Sequence, residues 1–151
     1  MSEKIDKYII RVYGLIINSN NEILISDEYQ VNTRMTKFPG GGMEFGEGTI
    51  DCLKREAIEE FGQEVDVLDH FYTTDYFQPT EFYNKGQLVS VYYFAQFKGE
   101  IKFTISDKPF NFIKEVNGAQ SFRWEKISRL NSAHFTFPID QKIVNLLKEK
   151  Y

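Results

Sequence analysis

The chain has 151 residues, of which 42% are apolar, 26% charged and 16% aromatic, with 18 Lys plus Arg against 22 Asp plus Glu. That is enough chain for one domain with a real core, and the mix excludes a disordered, collagenous or coiled-coil protein. A net charge of −4 without a basic footprint argues against duplex nucleic acid as a partner, and no apolar run approaches the ~20 residues that a membrane span needs.

Tyr8 to Asn18 is rich in β-branched and aromatic residues and reads as a strand. Asn18 to Asn21 is a turn cluster, and Glu22 to Ser26 a second strand, so a hairpin is expected. Lys37 to Gly42 reads as a glycine-rich loop, because three consecutive glycines sit poorly in a regular element. Thr49 to Phe61 reads as a helix with Thr49 as N-cap, Asp51 in the first turn and Gly62 at the left-handed C-terminal position. Strand-like runs follow at Val65 to Phe77, Gln87 to Phe97 and Ile101 to Ile105, then a short one at Ala119 to Trp124. Phe77 to Gly86 and Asp107 to Gly118 read as irregular, and Ile139 to Lys148 as a closing helix. Without repeat or linker, the expectation is one α/β (mixed α+β) domain over residues 1–151. The single cysteine, Cys52, excludes an intrachain disulfide and a multi-cysteine zinc site. The charged start lacks an apolar stretch of the secretory type, so a cytoplasmic protein is expected.

Six acidic residues, Glu44, Glu47, Asp51, Glu56, Glu59 and Glu60, fall between Gly41 and Gln63. On a helical wheel, Ile50, Leu53, Ala57 and Phe61 share an arc of roughly 80°, and Glu56, Glu59 and Glu60 share an adjoining arc of roughly 100°. Carboxylates at i, i+3 and i+4 repel one another unless a cation sits among them. Hard oxygen ligands of this kind select Mg²⁺ or Mn²⁺ over zinc. The glycine loop before the helix lets backbone groups approach a ligand, its carbonyls a metal and its N–H groups a phosphate. Together these parts describe a phosphoryl-transfer site. Alone, either part is commonplace: a solvated amphipathic helix end, or a turn.

The spacing joins them. Gly41, five residues, Glu47, seven residues, then Arg55-Glu56-Ala57-Ile58-Glu59-Glu60-Phe61-Gly62-Gln63 resembles the Nudix box of Nudix hydrolases. All the strictly specified positions match (Gly41, Glu47, Arg55, Glu56, Glu59, Glu60 and Gly62). At roughly 5–8% usage per residue type, chance agreement is on the order of one in a million. Two softer positions depart: Ala57 is small, and Gln63 stands where an aliphatic residue is expected, which would weaken packing at the helix exit. The resemblance implies an α/β/α sandwich with a mixed sheet between helices. It implies metal-dependent cleavage of a nucleoside diphosphate linked to another moiety, with Mg²⁺ as cofactor and Mn²⁺ as a substitute. Carried over by position, the metal ligands are Glu56, Glu59, Glu60 and the Gly40 carbonyl, and Glu47 and Arg55 support the site. The general base is a box glutamate or a later carboxylate, for which Glu115 is the candidate.

Substrate choice lies outside the box. Arg11, Arg34 and Lys37 are candidate phosphate contacts, and Tyr72, Tyr76, Phe77, Phe82, Tyr83 and Tyr93 offer aromatic faces for a base. Pro79, 16 residues beyond the box, resembles a marker of the ADP-ribose pyrophosphatase group. The expected partner is a small nucleotide, with a homodimer open. A non-catalytic nucleotide-binding module is the alternative, although such domains typically lose box glutamates that this chain keeps. An isopentenyl-diphosphate isomerase needs a cysteine in the pocket, and Cys52 lies in the box helix, where it is expected to be inert.

Overall fold

The computed structural model describes residues 4–80 and 85–151. Among the described residues, seven strands and two α-helices run in the order β1 (Lys7–Ile16), β2 (Glu22–Gln30), β3 (Thr33–Lys37), β4 (Gly40–Gly42), α1 (Thr49–Phe61), β5 (Val65–Thr73), β6 (Gly86–Phe97), β7 (Ala119–Lys126) and α2 (Pro138–Lys150). One sheet has the order β4-β1-β6-β5 and the other β3-β2-β7. The first is mixed: β1 runs parallel to β6 and antiparallel to β4.

Alternation along β1 and β6 builds a core on each face of that sheet. Val12, Ile16, Val91 and Ala95 pack with Cys52, Leu53, Ala57 and Phe61 of α1. Tyr13, Leu15 and Tyr92 pack with Ile139, Ile143, Val144 and Leu147 of α2. This is the expected mixed sheet between helices.

Four local expectations are corrected. The β1–β2 hairpin does not form: the turn is present, with Asn18 N–H donating to the Glu22 carbonyl at 2.9 Å, but the strands share only the Ile17–Ile23 bridge. Both edges of β1 are taken by β4 and β6, so β2 passes to the second sheet. The glycine triplet is a strand rather than a loop, pairing Gly40 with Tyr13, Gly41 with Val12 and Gly42 with Arg11. Ile101 to Ile105 forms no strand beyond one Ile105–Phe122 bridge; it is held by Phe103, whose ring packs on Phe61, Phe97 and Phe122. Gln63 does not weaken the helix exit. It is buried, and its amide donates to the carbonyls of Lys98 and Glu100 at 3.0 and 2.8 Å and accepts from Lys102 N–H, stapling that segment to α1.

Candidate functional site

Helix α1 has the expected bounds but a different start. Gly48 is the N-cap, its N–H given to the Asp51 carboxylate at 2.9 Å, while the Thr49 hydroxyl bonds Tyr93 OH at 2.7 Å. Gly62 closes the helix at φ 64°, as expected. The buried arc is Cys52, Leu53, Ala57 and Phe61, and Ile50 is 44% exposed. This shifts the contact face toward Glu56 and Glu60. Glu60 therefore enters the protein, whereas the Glu59 side chain stays 57% exposed.

Arg55 is the hub of the box. Its Nε and Nη2 form a fork on Glu47 at 2.9 and 2.7 Å, and Nη2 also donates to the Gly42 carbonyl at 2.9 Å. Nη1 reaches Glu56 and Glu59, each at 3.1 Å. Glu47 in turn accepts from Glu44 N–H at 2.8 Å. These bonds tie β4, the following loop and α1 together, and the Arg55 fork and the Glu44 N–H hold the Glu47 carboxyl down at about 2.

The glycines let β4 lie against β1 on one side and α1 on the other. A Cβ on Gly40, at φ +148°, would stand 2.1 Å from the Val12 carbonyl oxygen. A Cβ on Gly41 would stand 2.3–2.7 Å from the Glu56 carboxyl atoms. Cys52 is buried, with Sγ 3.8 Å from the Gly41 carbonyl, and burial pushes its thiol up to about 12, so it is inert at neutral pH.

Burial drives the Glu60 carboxyl up to about 8, with the Glu28 charge next in effect, and Glu56 adding to it. Burial raises Glu56 as well, and Glu59 contributes by like charge. Among the described residues, no three histidine, cysteine or acidic side chains are gathered closely enough to enclose an ion. The donor chemistry nevertheless fits a hard divalent cation: the set is all oxygen, and its carboxylates disfavour one another's charge in a way a cation relieves.

Glu28 lies beyond the Glu22 to Ser26 strand that the sequence pattern predicts, and so outside the residues that pattern marks for the site. The strand instead continues, and Ser26 and Glu28 follow Leu24 on the face toward α1. Glu28 is 7% exposed. It accepts from Ser26 Oγ at 2.8 Å and Gln120 Nε2 at 3.2 Å, and lies 3.4 Å from Lys37 Nζ. The polar run Ser26-Asp27-Glu28 directly before Tyr29 was the available signal for a strand with polar work to do.

A cleft of about 330 Å³ opens beside this cluster, with Arg11, Tyr13, Glu28, Lys37, Pro79 and Asp140 in its lining. Arg11 and Lys37 are thus brought together: Arg11 Nε donates to Tyr13 OH at 2.6 Å, and Lys37 Nζ lies 5.7 Å from the Tyr13 ring centre. Burial works against the Lys37 charge, yet the Tyr13 and Glu28 fields outweigh it and hold its pKa up. Arg34 and Glu115 are not brought to the box. Arg34 gives both arms of its fork to Glu115, at 2.7 and 2.9 Å, on an exposed surface. That pairing lowers the Glu115 pKa and occupies both its oxygens, because Asp107 to Gly118 is folded back onto the β2–β3 hairpin. Of the aromatic candidates, Tyr93 and Tyr72 are tied into local hydrogen bonds, Lys142 lies over the Tyr76 ring and Phe77 is 57% exposed. Phe82 and Tyr83 lie outside the described residues.

The family model described as NUDIX domain matches residues 7–145. No curated protein sequence matches the chain. Among solved structures, the chain is similar to the E. coli ORF135 protein at TM-score 0.68 and 18% identity, covering 92% of this chain and 87% of that one. It is similar to the MutT protein of Methanosarcina mazei Go1 at TM-score 0.66 and 19% identity, covering 99% and 98%. An ADP-ribose pyrophosphatase from Streptococcus suis 89-1591 aligns at TM-score 0.62 and 15% identity, covering 94% and 90%. At these identities the structural likenesses establish the fold.

Proposed function

The chain belongs to the NUDIX family, whose members hydrolyse pyrophosphate bonds, and from that premise we propose a Mg²⁺-dependent hydrolase of a nucleoside diphosphate joined to another moiety. The observation that carries this reading is the complete box, folded with Arg55 gathering Glu47, Glu56 and Glu59 beside a half-buried Glu60. Glu56, Glu59, Glu60 and the Gly40 carbonyl would hold the ion, Mn²⁺ serving in place of Mg²⁺. Such an ion, when bound, neutralises charge on phosphate oxygens and makes water a better nucleophile.

The remaining work falls to the chain itself. Arg55 and Glu47 fix the helix against the glycine strand, so that the carboxylates are aimed before substrate arrives. Arg11 and Lys37 place two cations in the cleft lining for the phosphates. The about 330 Å³ of the cleft suits a nucleoside-sized group held by apolar and aromatic walls. The proton of the attacking water is assigned to a box glutamate, since Glu115 makes its hydrogen bonds to Arg34 on an exposed surface rather than to the box residues. Water attack on one phosphorus releases two phosphorylated products. The substrates in view are nucleoside triphosphates, ADP-ribose-type nucleotides and dinucleoside polyphosphates, handled by one domain, in the cytoplasm.

The test is a product screen over these compounds with Mg²⁺, Mn²⁺ or EDTA, run on the wild-type protein and on Glu59→Gln and Glu60→Gln. Metal-dependent cleavage of one compound, with kcat reduced about 10²-fold or more in each variant, is expected. A folded Glu60→Gln protein of normal activity refutes the site. Specific binding without turnover across the panel would move the assignment to a nucleotide-binding module.

A further inference from the structure

The side chain of Gln120 occupies a singular place in the carboxylate cluster. Gln120 is the second residue of β7 and the cross-strand partner of Glu28 on β2, so the ladder fixes its backbone. Its Nε2 lies 3.1 Å from Ser26 Oγ, 3.2 Å from Glu28 Oε2 and 3.2 Å from Glu60 Oε1. The Ser26 hydroxyl spends its own proton on Glu28 at 2.8 Å, so it can only accept from the amide. One amide nitrogen therefore stands between a buried sheet carboxylate and a half-buried box carboxylate.

Two carboxylates so placed repel, and nothing in α1 itself holds Glu60 toward the sheet. Arg55 grips Glu47, Glu56 and Glu59, and its hydrogen bonds do not extend to Glu60. Among the described residues, the Gln120 amide, with two N–H hydrogens, is the group that stands within hydrogen-bond distance of both Glu28 and Glu60. We propose that Gln120 is a positioning residue: it holds Glu60 in the orientation that binds the divalent ion, against the charge of Glu28. This rests on Glu60 being an ion ligand, as given under the proposed function. Partners that orient a metal ligand are worth about 10- to 100-fold in metal affinity.

Mn²⁺ alone is the probe, titrated calorimetrically into wild type, Q120M, Q120M/E28Q and E60Q, with melting curves alongside. Methionine keeps the volume of glutamine and removes the donor, and Q120A is carried in parallel should methionine fail to pack. We expect Q120M to bind Mn²⁺ about 10- to 100-fold more weakly with little change in Tm. Adding E28Q should recover most of that loss, because it removes the charge against which Gln120 works; a purely structural role for Gln120 predicts no such recovery. Wild-type Mn²⁺ affinity in Q120M beside weak binding in E60Q overturns this inference alone, as does a Q120M defect that E28Q leaves untouched. Unchanged Mn²⁺ binding in E60Q overturns the ligand assignment beneath it.

Discussion

Asp140, in the first turn of α2, is 1% exposed and accepts a hydrogen bond from Tyr92 OH. Burial drives its carboxyl up to about 6; the Tyr92 bond, Lys37 and Arg11 oppose that rise, and Glu28 adds to it. A folded-state pKa above the ordinary value of 3.8 means that the folded protein holds the proton more tightly than the unfolded chain. Its contribution to stability is then complete below about pH 4 and is lost as pH rises through about 6, a swing of order 3 kcal/mol. Asp140→Asn keeps an acceptor for Tyr92 and removes the charge. Its urea-unfolding free energy should therefore lack this fall between pH 4 and 7 and exceed that of wild type at pH 8. Parallel pH profiles for the two proteins would place the raised pKa elsewhere.

The short strand β4 joins the fold to the box, and its two buried glycines carry different duties. Gly40→Ala forces a Cβ against the Val12 carbonyl and the Tyr13 Cα, 2.1 and 2.7 Å away, both backbone, at a φ that L residues avoid. A loss of ~3 kcal/mol or more is expected, read by urea denaturation. In Gly41→Ala the nearest atoms are the end of the Glu56 side chain. That side chain can rotate away, so the expected result is a near-normal Tm with Mn²⁺ affinity reduced about tenfold or more. Equal stability losses in the two variants would contradict this division. Helix α1 divides its labour in the same way: Leu53, Ala57 and Phe61 hold it to the sheet, while Arg55 and Glu47 set the angle at which its acidic side faces β4.

Over the whole molecule, β1 and β6 separate two cores, with the box helix on one and α2 on the other. The cleft draws on β1, β2, β3, the segment after β5 and the start of α2, and Glu28 belongs both to its lining and, through Gln120, to the Glu60 cluster. An ion bound at that cluster stabilises the folded chain by mass action, about 2.7 kcal/mol at a hundred times its Kd. Mg²⁺ should accordingly raise the Tm of the wild-type protein and leave that of Glu60→Gln almost unmoved, with EDTA reversing the shift. Equal shifts in both proteins would place the ion elsewhere.

The box was legible because its logic is local. Glycine at one position, a glutamate six residues on and a run of Arg-Glu and Glu-Glu on one helix declare themselves through spacing, and the bounds of α1 follow from a 3.6-residue period ended by Gly62. The sequence by itself therefore determined the family resemblance and the helix, and through the resemblance it named the candidate carboxylates and the pair Glu47 and Arg55. Tertiary structure decided the rest, since burial and partnership are set by chain segments far apart in sequence. It paired Arg34, a candidate phosphate contact, with Glu115, the candidate later base, 81 residues apart on an exposed surface. It turned the glycine triplet into a strand by laying it against β1. It brought Glu28, Gln120 and Glu60 from β2, β7 and α1 to one nitrogen, where low exposure magnifies each charge and hydrogen bond, and no periodicity in the chain encodes that meeting.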